Sequence, residues 1–150
     1  MLGITLAQAG VIVDEALACG ARMGLQPLTV AVLDPGGYLV ALKRQDDSGI
    51  LRPQLAVAKA WGVLGMGLPA RDMARRAAHN PQFFGVLSEL AEGRVVPVLG
   101  GVPVRDAEHL LGAVGITGDT SENDEACAVA GIGAAGLRPW LDHDDQPEAR

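Results

Sequence analysis

The segment from Gln54 to Gly67, QLAVAKAWGVLGMG, contains one charged side chain, Lys59. Read as a helix, it gives Lys59 the neighbours Leu55, Ala56, Gly62 and Val63 at i±3 and i±4, none of them polar. If such a helix packs on both sides, the ammonium must find a partner or its pKa must fall. A buried lysine can hold an anion or take part in proton transfer. The other reading is snorkelling, with the stem on apolar surface and the charge in water. The segment is too short and glycine-rich, and too polar at Gln54 and Lys59, to span a bilayer.

Around that helix the composition sets the kind of core. Half of the chain is apolar (49%) but only 3% is aromatic, so Ala, Val, Leu and Ile have to fill the interior. Twenty glycines imply close backbone packing and leave surface for subunit contacts. A chain of 150 residues suits one domain with one core. The net charge of −6 argues against nucleic acid, because no basic patch is there to neutralise phosphates. Cys19 and Cys127 are far apart in sequence and form neither a metal spacing nor a disulfide framework, which suits reduced thiols. The start MLGITLAQAG has no basic n-region and no long apolar run, so the expected location is cytoplasmic.

The periodicities predict a helix from about Thr5 to Met23, stopped by Gly24. A β-hairpin follows, with arms 28–33 and 38–43 and the turn Asp34-Pro35-Gly36-Gly37. The lysine helix covers roughly Arg52 to Met66, with Pro53 in its first turn and Pro69 beyond its end. Two short helices are expected at 70–78 and 81–91, then loop and strand over RVVPVLGGVPVRD. HLLGAVGIT is apolar on both faces and reads as a central strand covered on both sides. A last helix begins near Asp119–Ser121, with acids in its first turn and Gly136 as its stop. It carries two stripes of small residues: Ala126, Ala130 and Gly133, and Ala128, Gly131 and Ala135. The acidic tail 138–150 is expected to be loose. Strands joined by short turns with helices over their faces define an α+β domain.

Two glycine-bearing segments could cradle an anion. Gly100-Gly101 in VLGGVPVRD offers backbone N–H groups, or is simply a bend opening a strand. GITGDTSENDE puts Gly115, Thr117 and Gly118 before a helix N-terminus, where a ligand carboxylate could sit; capping by the resident acids explains the same pattern. His79, His109 and His143 have no partner at ligand spacing, so no metal site is legible and each reads as a solvated imidazole.

The segments TVAVLDPGGYLVALKRQDDSGI, AVAKAWG, PVLGGVPV and LLGAVGITGDTSENDEACAVAGI together resemble the GlcG/HbpS family of small bacterial heme-binding-like proteins, whose domain also forms the C-terminal part of some PduO proteins. The resemblance covers about residues 3–137. It implies a single domain over 1–137, with a central antiparallel sheet of about five strands flanked by helices, broadly profilin-like. It implies a homo-oligomer, from dimers up to octamers, and heme binding in some members. Asp34, Gly36 and Gly37 match the family's hairpin turn; the next position, often histidine there, is Tyr38, which could ligate ferric heme. Arg44 and Asp46 match an arginine–acid pair, and Lys59 the lysine of AxxKA. Gly100, Gly101 and Pro103 match GGxP. Gly115, Thr117, Gly118, Asp124 and Glu125 match GxSGxxxxxDE, with threonine in place of the usual serine.

The resemblance thus implies a protein binding heme or a similar tetrapyrrole, with Tyr38, Arg44, Lys59, Gly100, Gly101 and Thr117 as candidate ligand-binding residues. The alternative is an isomerase- or lyase-type enzyme acting on an organic acid at a subunit interface, with Lys59, Asp124 and Glu125 as candidate catalytic groups. In either case Lys59 is expected to be buried against Asp124 or Glu125.

Overall fold

A computed structural model describes residues 2–142. The elements are α1 (Leu6–Met23), β1 (Thr29–Leu33), β2 (Leu39–Arg44), α2 (Arg52–Met66), α3 (Ala70–His79), α4 (Pro81–Leu90), β3 (Gly101–Arg105), β4 (Leu110–Thr117) and α5 (Ser121–Ala134). Local chemistry sets their ends. Thr5 and Gln8 form a reciprocal capping box at the start of α1, and Gly24 closes it in the left-handed region at φ 67°. In the β1–β2 turn, Asp34 Oδ1 accepts the N–H groups of Gly36 and Tyr38 at 2.9 and 3.0 Å, while Gly37 supplies the positive φ of 85°. Thr120 caps α5 through the N–H of Asn123.

The four strands form one antiparallel sheet in the order β2-β1-β4-β3. The described residues form four strands, not the five that the resemblance implied. Residues 94–99 run as loop, where Pro97 cannot donate to a ladder, and among the described residues the one pairing outside the named strands is a single bridge between Val104 and Pro139. β4 is central, as its sequence implied, and is buried from Gly112 to Thr117.

The side-chain alternation of the strands separates two cores. Val30, Val32, Val102, Val104, Val114 and Ile116 face α1 and α5, where Ile12, Val13, Cys127 and Ile132 meet them. Leu33 and Ala113 face the other way, towards Ala60 and Val63 of α2 and on to Met73 and Phe84 of α3 and α4. On this second face the sheet carries almost no side-chain bulk. A methyl group on Gly115 would lie 1.9 Å from the carbonyl oxygen of Ala56, and one on Gly101 would lie 2.2 Å from that of Lys59. The backbone of α2 therefore rests directly on the backbone of the sheet at Gly101 and Gly115.

Of the two small-residue stripes on α5, Ala128 and Gly131 are buried, and Gly131 lies close against Ile12 of α1. Ala126 and Gly133 are exposed. Cys19 and Cys127, distant in sequence, meet across the α1–α5 contact. Burial, helped by the neighbouring Cys19 thiol, pushes Cys127 up to about 12. The tail expectation needs correction near its start. Trp140 is buried, its backbone N–H donates to Pro103 O at 2.8 Å, and the Arg105 guanidinium lies 4.8 Å over its ring. The remainder of the tail, with His143, lies outside the described residues.

Candidate functional site

Four of the charged and polar residues singled out by sequence, Lys59, Thr117, Asp124 and Glu125, gather at one junction, where β4 ends and α5 begins. Lys59 sits in the middle of α2 with 4% of its side chain exposed, and Asp124 in the first turn of α5 with 1%. The stem of Lys59 runs past Gly100, where a methyl group would come within 2.8 Å of Nζ. The ammonium donates to Ile116 O at 3.0 Å and to Asp124 Oδ2 at 3.3 Å. Asp124 Oδ1 accepts the N–H of Asp119 at 3.0 Å. Burial lowers the pKa of Lys59, and the attraction of Asp124 offsets this only in part. Burial likewise raises Asp124, against the opposing pull of the Asp119 N–H and of Lys59.

Two further cations reach the same junction from the α2–α3 side. Arg52 Nη1 donates to Thr117 Oγ1 at 2.7 Å, and the Arg71 guanidinium of α3 pairs with Glu125, with Nε at 3.1 Å from Oε1. The carboxylate that Lys59 takes is thus Asp124, and Glu125 serves Arg71. Gly100 and Gly101 make room for the stem and backbone of Lys59.

The other candidates stand apart. Tyr38 is 75% exposed on the hairpin turn, at the end of the sheet opposite Thr117. Arg44 is at the Thr117 end, because Thr29 pairs with both, but it is exposed and donates to Ser48 O at 2.6 Å. His109 is an exposed residue of the β3–β4 turn, 3.5 Å from Asp106.

Sequence reasoning passed over the corner between α3 and α4. A groove of about 430 Å³ opens there, lined by Met66, Arg75, Arg76, His79, Asn80, Phe83 and Phe84. Its volume lies in the range of small-molecule sites. Asn80 ends α3 and caps α4 through the N–H of Phe83, and Pro81 sets the first turn of α4. The two phenyl rings meet edge to face at 6.0 Å. Phe83 keeps half of its surface in solvent. A second groove, lined by Trp61, Gly65, Leu87 and Leu90, adjoins the first through Met66. His79 Nδ1 lies 2.8 Å from Arg75 O. The signal was in the spacing of RRAAHNPQFF, which puts Arg75 and Arg76 four and three residues before His79, on its side of the helix, and two rings just after the corner.

Two-faced sheet and charged junction together define a small α+β domain. Comparison with known proteins gives it a family: the model described as "Haem degrading protein HbpS-like" matches residues 4–133, and the chain belongs to that family. The crystal structure of a PduOC–heme complex superposes with a TM-score of 0.81 at 22% identity, covering 90% of this chain and 96% of that one. That of HbpS gives 0.77 at 25% identity, covering 89% and 90%. The corrinoid adenosyltransferase PduO of Citrobacter freundii is 27% identical over 112 residues, 75% of this chain and 33% of that protein. The chain thus spans about a third of the length of that relative. Among the described residues no helix is long and apolar enough to cross a membrane.

Proposed function

We propose that this protein binds heme or a closely related tetrapyrrole in the groove at the α3–α4 corner. The observation that carries the reading is the make-up of that groove: phenyl rings and a thioether for walls, with two guanidinium groups and an imidazole beside them. A porphyrin is a flat apolar ring with two carboxylates on one edge, and each part has a counterpart here. Phe83, Phe84 and Met66 offer apolar and polarizable surface. Arg75 and Arg76 offer planar donors matched to carboxylates. Arg75 already pairs with Asp72 and Asp142, but Arg76 makes no ion pair among the described residues. A nitrogen ligand for iron is present in His79. Family membership supports the same ligand class.

The proton-transfer alternative finds less support. It would need substrate at Lys59, and Lys59 and Asp124 are buried and engaged with one another. Self-association is part of the proposal. Ile50 is 96% exposed and Leu51, next to it in the chain, is more than half exposed, a surface that a second copy could cover.

The test is a titration of the purified protein with hemin. A Soret shift that saturates at one hemin per chain is expected; a spectrum that stays that of free hemin refutes heme binding. Light scattering on the same sample should give a mass of at least two chains, and a monomer mass refutes the association.

A further inference from the structure

We infer that His79 is the axial ligand of the bound heme iron, through Nε2; this assignment rests on the heme reading above and names the residue that would carry it. Four features of His79 agree on that role. Its ring lines the groove together with Phe83, Phe84 and Met66, so the imidazole borders the same space as the apolar walls. It stands in the last turn of α3 and is exposed among the described residues.

The third feature is the hydrogen bond. Nδ1 lies 2.8 Å from the carbonyl oxygen of Arg75, one turn back in the same helix. A carbonyl can only accept, so Nδ1 carries the proton in this contact and Nε2 is left with its lone pair. That is the arrangement found at metal-bound histidines generally, where one ring nitrogen donates to a backbone carbonyl, which fixes the tautomer and the ring and raises the basicity of the other nitrogen.

The fourth feature is charge. Arg75 and Arg76 lie on the same groove as His79, so a porphyrin seated over the imidazole would have guanidinium groups within the same site for its propionates.

Tyr38, which sequence offered as a ligand, and His109, which it read as a solvated imidazole, lack these properties. Tyr38 is on the hairpin turn and His109 on the β3–β4 turn, and neither lines this groove. His109 Nδ1 lies 3.5 Å from Asp106 Oδ1, away from the groove.

The experiment is hemin titration of the wild type, His79→Ala, Tyr38→Phe and His109→Ala, read by the Soret band and by resonance Raman of the ferrous form. The wild type should show an iron–imidazole stretch, and His79→Ala should lose it and bind hemin at least about tenfold more weakly. Tyr38→Phe and His109→Ala should match the wild type. Added imidazole should restore the wild-type spectrum to His79→Ala, a rescue that a misfolded variant cannot give. If the wild type binds hemin and His79→Ala keeps its spectrum and affinity, the assignment fails while heme binding stands. If the wild type binds no hemin, the heme reading fails and takes the assignment with it.

Discussion

Replacing Lys59 by methionine keeps the stem and deletes the ammonium. Asp124, 1% exposed, is then left with the Asp119 N–H as the one donor it keeps from the contacts described above, and Ile116 O loses a partner. Breaking a buried pair from one side costs about 3–5 kcal/mol. The acid has one way to limit that cost, which is to take up a proton. Against an unfolded pKa near 3.9, protonation at pH 7 costs about 4 kcal/mol, and at pH 5 about 1.5 kcal/mol. The sign follows from the raised pKa of Asp124 in the folded state. The native variant holds a proton that the unfolded chain releases, so its stability falls as pH rises above the unfolded pKa and recovers as pH drops back towards it. Urea unfolding at fixed protein concentration should therefore show Lys59→Met less stable than wild type by about 4 kcal/mol at pH 7 and by about 1.5–2 kcal/mol at pH 5. Lys59→Met with Asp124→Asn removes both charges and keeps an acceptor for the Asp119 N–H. It should regain about 2 kcal/mol or more over the single variant at pH 7. A loss below about 1 kcal/mol at pH 7, with no dependence on pH, would refute a desolvated ion pair and return Lys59 to the snorkelling reading.

Three further outcomes follow from the packing. Gly115→Ala sets a methyl group against the Ala56 carbonyl and should destabilise by about 3 kcal/mol in a thermal or urea melt; a change within about 0.5 kcal/mol would mean that α2 stands off the sheet. Cys127, pushed up to about 12 by burial, should resist a thiol reagent at pH 8 in the native protein, whereas half-buried Cys19 reacts; two equivalents consumed at equal rates without denaturant would contradict the buried thiol. Trp140→Ala should cost about 3 kcal/mol and lower the melting temperature, as for a buried ring; no change would restore the loose tail expected from sequence.

Where turn and cap chemistry is local, the elements were legible. The Asp-Pro-Gly-Gly turn, the prolines at 53 and 81 and the glycines at 24 and 136 bracket helices and strands to within a residue or two. The burial of Lys59 was legible too, because apolar i±3 and i±4 neighbours leave a lysine nowhere to go but inwards. Its choice of Asp124 over Glu125 was not, since that depends on which side of the first turn of α5 faces the end of β4. The count of five strands came from the resemblance and not from the residues, which read RVVPVLGGVPVRD as loop and strand; Pro97 removes a donor that pairing over 94–99 would need. Trp140 was hidden because its partner, Arg105, is distant in sequence. The groove escaped notice because His79 was weighed against other metal ligands, when the informative neighbours were two arginines behind it and two phenylalanines ahead.

The junction at the start of α5 also bears on how long the folded state lasts. Arg52–Thr117 and Lys59–Asp124 each join residues 65 apart in sequence, and Arg71–Glu125 joins residues 54 apart. Each links the α2–α3 layer to the junction from which the opposite layer departs, so each can close only after both layers have docked on the sheet. Contacts of that kind form late and are absent from the transition state, and weakening them speeds unfolding while leaving the folding rate nearly unchanged. The expected signature is a chevron in which Arg71→Met raises the unfolding arm alone. A drop in the folding arm instead would place the junction in the nucleus. On this view the three cations act as a latch, governing the lifetime of the native state more than its population.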